Sequence, residues 1–174
     1  MASPVTISPA ARIVATSDPG VSTAPAVPVF GDVGLSAGTI AFDGAGAQLL
    51  TATNGGQVPS VLINKATGAL SFGADPIGVT GDWTYTKGTV DVTGSTISFQ
   101  GSGSRTVNAG AGPRMAFNNV DIFKGSGDTL TVANLLSVNG DLTIRSINAI
   151  NASLGAVTVG RNLVSTDTSV GGTA

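Results

Sequence analysis

Apolar residues recur at every second position in short runs along most of this chain. Ile40 and Phe42, Val61 and Ile63, Leu70 and Phe72, Trp83 and Tyr85, and Val90 and Val92 stand at i and i+2. Ile97 and Phe99, Val120 and Ile122, Leu130 and Val132, Leu142 and Ile144, and Val157 and Val159 continue the pattern. A period of two with one face buried predicts short β-strands. Gly- or Asn-rich stretches separate them, among them GAGA at 44–47, ATG at 66–68, GSGS at 101–104, GSGD at 125–128 and NGD at 139–141. Such residues supply the backbone conformations that tight corners need.

Spacing turns the strands into an architecture. One series of runs starts at positions 40, 61 and 83, and a second at positions 97, 120, 142 and 163. Within each series the step is nearly constant. A coil of about 20 residues with two or three short strands is one rung of a parallel β-helix, and the steps fit that length. The predicted fold is therefore all-β, a parallel β-helix or β-solenoid. The step from Trp83 to Ile97 is too short for a full rung, which predicts either a short rung or a reversal as a hairpin. The alternative is an antiparallel β-sandwich, which also gives short strands with frequent turns.

The chain also resembles itself. Residues 39–87 and 96–146 share one layout, with Ile40 answering to Ile97, Gly44 and Gly46 to Gly101 and Gly103, Lys65 to Lys124, and Asp82 to Asp141. A partial third copy covers 148–165. Residues 31–174 are read as one repeat domain. Residues 1–30 differ, holding Pro4, Pro9, Pro19, Pro25 and Pro28 of the eight prolines, and are read as an extended arm or linker with one or two short strands. The arm is expected to attach to a neighbouring subunit by strand addition. The stretch STDTSVGGTA after the last rung lacks an amphipathic cap, so the expected open end invites another subunit.

Composition narrows the chemistry. Only 10% of the 174 residues are charged, against about 25% in an average soluble domain. All ten acids are Asp, and helix-favouring residues are scarce. A net charge of −2 gives no basic footprint for nucleic acid. No window is long and apolar enough to span a membrane as a helix, and the stretch MASPVTISPAARIVATSDPG at the start does not read as a secretory signal. With no Cys and no His, the chain lacks thiol nucleophiles, Ser-His-Asp triads and the usual zinc ligands.

The segments TISFQGSGSRTV, NNVDIFKGSGDTLTV and LLSVNGDLTI resemble bacterial β-strand-repeat surface proteins, with VLINK at 61–65 and VNGDLTI at 138–144 the closest stretches. The likeness covers about residues 39–165. It implies a β-solenoid in a large extracellular, adhesin-like or filament-forming protein, and it carries no catalytic residue across.

The remaining candidates rest on few residues. Asp82 and Asp141 sit in Gly-Asp turns, where Asp is expected to bond nearby backbone amides. Lys65 and Lys124 follow strands and are expected to be solvated charges that keep edges from pairing. No cofactor is expected. Structural calcium is the one metal considered, with Asp121 and Asp128 as ligands. Trp83 and Tyr85, the only Trp and Tyr, are expected in the core, with sugar stacking as their alternative role. The expected function is non-enzymatic: a structural subunit or segment of an extracellular, cell-surface or virion fibre that assembles with copies of itself. The alternative is a surface adhesin that binds glycans.

Overall fold

Strands form where the alternation predicts them, and every strand pair among the described residues is parallel. The computed structural model describes residues 12–15, 20–22, 38–52, 56–112, 114–152 and 155–166. The backbone winds as a three-sided parallel β-solenoid of about six turns. The sandwich alternative fails, because it requires antiparallel ladders. None of the described residues forms a helix long and apolar enough to cross a membrane.

The first side carries β1 (Arg12–Ala15), β3 (Thr39–Phe42), the first half of β6 (Ser60–Phe72), the first half of β8 (Trp83–Asp91), β10 (Arg105–Asn108), β12 (Thr129–Val132) and β15 (Ala149–Asn151). The second side carries β2 (Gly20–Ser22), β4 (Gln48–Thr51) and the second halves of β6 and β8. It is interrupted and then resumes with β13 (Leu135–Val138) and β16 (Ala156–Val159). The third side carries β5 (Gln57–Val58), β7 (Ile77–Val79), β9 (Thr96–Gly101), β11 (Asn119–Lys124), β14 (Leu142–Ser146) and β17 (Leu163–Ser165). Partners along this side run Val58, Val79, Phe99, Ile122, Ile144 and Ser165, each one coil after the last. Every such step is close to the rung length of about 20 residues.

The short step from Trp83 to Ile97 is neither a short rung nor a hairpin. Trp83 lies on the first side and Ile97 on the third side of the same coil, joined through the second half of β8. The two series of spacings belong to different sides of one regular winding. The internal likeness has the same geometry. Ile40 is on the first side and Ile97 on the third, while Leu70 is on the second and Leu130 on the first. A strand-and-corner pattern thus recurs one side short of three coils later.

Side chains that point inward stack into one continuous core. Its centre is aromatic: Trp83 lies 5.9 Å from Phe72, 6.4 Å from Phe99 and 5.3 Å from Phe117, measured between ring centres. Tilted and edge-on pairs at these distances are the favourable aromatic geometries. Close stacking also sets a local residue requirement. A Cβ at Gly140 would stand 2.8 Å from the Asn118 carbonyl of the coil below and would strike the Asn119 side chain, so only glycine fits there.

Two strands fall in the segment read as an arm. β1 adds to β3 and β2 adds to β4, each parallel, so this part of the segment pairs with the chain's own next coil. The remainder of residues 1–30 lies outside the described residues.

Candidate functional site

The outward faces of β7, β9, β11 and β14 form a polar groove of about 460 Å³ on the third side. Its floor follows from register. Gly78, Ser98, Asp121 and Thr143 are successive partners across the four strands. Three of the four have short side chains or none. The fourth, Asp121, is buried under Arg145. Asn119 and Asp141 stand towards one edge and Arg145 towards the other, while the Gln100 side chain lies across Gly78. Low positions at Ser98 and Thr143 between these taller side chains make the groove.

Arg145 is aimed by a bulge. Ile122 pairs with Ile144, but Phe123 pairs with Ser146, so Arg145 is the extra residue. Bulges redirect side chains in this way. Its Nε donates to Asp121 Oδ1 at 2.8 Å, and its Nη2 donates to Oδ2. The Ser98 hydroxyl also donates to Oδ2, at 2.8 Å. The guanidinium lies 5.1 Å from the centre of the Phe123 ring. The hydrogen bonds to Asp121 raise the Arg145 pKa above its ordinary value.

Phe123 stands beside a second recess that shares Gln100 with the groove. It is half exposed, the only aromatic ring so open among the described residues. Sequence reasoning missed it, although the signal was present: with Val120 and Ile122 inward, Asp121 and Phe123 must face out.

Trp83 and Tyr85 are buried, as expected of core residues. Trp83 donates its indole N–H to the Met115 sulfur at 3.3 Å, and Tyr85 donates to the Gly88 carbonyl at 2.7 Å. Burial raises the Tyr85 pKa. A sugar finds no ring face at either residue, so the stacking role does not fall to them.

The two calcium candidates are separately engaged. Asp121 is held by Arg145 and Ser98, whereas Asp128 Oδ2 accepts the backbone amides of Gly103 at 2.9 Å and Gly125 at 3.1 Å. No group of three acidic, His or Cys residues able to hold a metal occurs among the described residues.

Asp82 and Asp141 bond to backbone amides, but to those of the next coil. Thr106 N–H donates to Asp82 Oδ1 at 2.8 Å, and Asn162 N–H donates to Asp141 Oδ1 at 3.2 Å. Their own amides donate downward, to Ser60 Oγ and Asn119 Oδ1, both at 3.0 Å. Each Asp therefore ties three successive coils.

The two lysines depart furthest from expectation. Both are buried. Lys124 Nζ donates to the carbonyls of Gln100 at 3.4 Å and Gly101 at 3.2 Å, capping the glycine corner one coil earlier. Lys65 does the same at the corner 44–48. Desolvation, with a contribution from nearby Arg105, lowers the Lys124 pKa below 10.5, while Asp128 and Asp82 act against it. A lowered folded-state pKa means that the unfolded chain binds this proton more tightly. The stability tied to Lys124 is then complete above 10.5 and is lost as pH falls through the depressed value. The difference in urea midpoint between the native chain and Lys124→Met is expected to shift in favour of the native chain as pH rises towards 10.5. A difference independent of pH would refute this.

No family model matches the chain, no curated protein matches it, and no solved structure matches it. The β-solenoid arrangement agrees with the fold that the local resemblance implies.

Proposed function

We propose that the chain is a structural β-solenoid, a subunit or segment of an extracellular, cell-surface or virion fibre that grows by stacking coil on coil. The observation that carries this reading is the state of Leu163. It continues the inward column Ile77, Ile97, Val120 and Leu142, all buried, yet Leu163 is 63% exposed. β17 is held to β14 by a parallel ladder that carries this column on to Leu163. An apolar column that stays in register and runs into an exposed leucine is a surface that another coil fits. The role is non-enzymatic, and its product is length and stiffness. β1 and β2 add in parallel to β3 and β4 of their own chain, so the arm would join a neighbouring copy by exchange with that copy's β1 and β2.

Sedimentation velocity over rising concentration, with negative-stain images, tests the proposal. The native chain is expected to form end-to-end oligomers. Leu163→Asp places a charge in the column and is expected to leave folded monomers. A native chain that stays monomeric at every concentration would overturn the reading.

A further inference from the structure

We propose that the groove on the third side binds a neutral oligosaccharide, with Phe123 as its apolar platform. The proposal does not depend on assembly into fibres. Three observations meet at this place. The first is shape: in a groove of about 460 Å³ across four coils, Ser98 and Thr143 are the low positions, with the Gln100 side chain lying over Gly78 and Arg145 over Asp121. That space admits a short sugar chain.

The second is chemistry. The lining offers the Thr143 hydroxyl, the Asn119 and Gln100 amides, the Asp141 carboxylate and the remaining N–H groups of Arg145, while Ser98 and Asp121 are buried and bonded to one another. Planar groups that donate and accept in pairs match adjacent sugar hydroxyls. The formal charge is balanced locally, because Arg145 is joined to Asp121 and Arg161 lies 3.5 Å from Asp141. A balanced surface favours neither an anion nor a cation, which selects a neutral polyhydroxyl ligand over a uronate or a phosphate.

The third is the ring. Phe123 is the one half-exposed aromatic among the described residues, and it lines the recess that adjoins the groove through their shared Gln100. Arg145 covers part of it from the groove side. The rest offers the C–H face of a pyranose a flat apolar surface. The bulge that places Arg145 over both Asp121 and Phe123 holds polar and apolar parts in one fixed arrangement, so little ordering is needed on binding.

The test is calorimetry and saturation-transfer NMR on the full chain. The probes are neutral hexose tetramers to hexamers of several linkages, beside a matched set of uronic-acid oligomers. At least one neutral oligomer is expected to bind. Phe123→Ala is expected to weaken that affinity about tenfold, the scale of a lost stacking contact. Thr143→Arg, which fills the floor without removing a core contact, is expected to abolish it. Leu49→Ala, on the second side, is expected to leave it unchanged. Circular dichroism and thermal midpoints confirm that each variant is folded. Binding by uronates alone, by no oligomer, or with equal affinity in Phe123→Ala and Thr143→Arg would each overturn the proposal.

Discussion

Trp83→Ala is expected to destabilise the chain by about 4 kcal/mol. For a chain of this length that lowers the thermal midpoint by about 8 to 16 °C. Trp83 is fully buried and touches rings from three other stretches: Phe72 just before it, Phe99 in the same coil and Phe117 in the next. Truncation removes the transfer free energy of the indole and leaves a void that the surrounding ladders hold open. Stacked β-strands cannot move closer than their hydrogen bonds allow, so the void collapses little. The position matters as much as the size. In a solenoid each coil contacts only its neighbours, and a weakened middle coil uncouples the two ends. Hydrogen exchange is therefore expected to speed up in β6 and β9 together, while exchange in β14 changes less. Trp83→Phe, which keeps most of the ring but loses the N–H to Met115, is expected to cost less than half as much. A loss below about 1 kcal/mol for the alanine variant would show that the aromatic centre is not what couples the coils.

The solenoid was legible because coil length and strand phase are both written locally. The near-constant steps between apolar runs correspond to real ladders on the first and third sides. The side to which each run belongs was not legible. A strand on one side has the same period-two signature as a strand on another, so the step from Trp83 to Ile97 looked like a defect. The same blindness made the pattern at 39–87 look like a whole-number repeat of the one at 96–146. The groove was legible in part. Phase alone puts Asp121 and Phe123 outside once Val120 and Ile122 are inside, but only register brings Gly78, Ser98 and Thr143 into line with Asp121. The coil-tying bonds of Asp82 and Asp141 were hidden for a related reason, since their partners lie a whole coil away along the chain and not in the same turn.

Lys65→Met is expected to cost about 3 kcal/mol, although it swaps a charged side chain for an apolar one of similar length. The period-two rule had already placed this residue inside. Val61, Ile63 and Lys65 are consecutive inward positions of β6, as Val120, Ile122 and Lys124 are of β11, and all six are buried. Assigning the lysines to solvent on the ground of charge overrode the phase and was the error. An ammonium has three N–H donors, and Lys65 gives them to the Gly44 carbonyl at 2.6 Å, the Gly46 carbonyl at 2.8 Å and Gln48 Oε1 at 2.8 Å. These acceptors belong to the corner between β3 and β4 one coil earlier, where the backbone turns too tightly to satisfy its own carbonyls. The methionine variant leaves the buried Gly44 carbonyl and the Gln48 amide without this donor, and neither reaches water easily. Lys65→Arg is expected to be damaging as well, because a planar guanidinium does not match three acceptors gathered around one point. Urea unfolding gives the size of the loss. Hydrogen exchange gives its place: β3 and β4 are expected to open first, with β11 and β14 unaffected. If Lys65→Met proves as stable as the native chain, the corner is held by its own backbone, and the lysine is a passenger there.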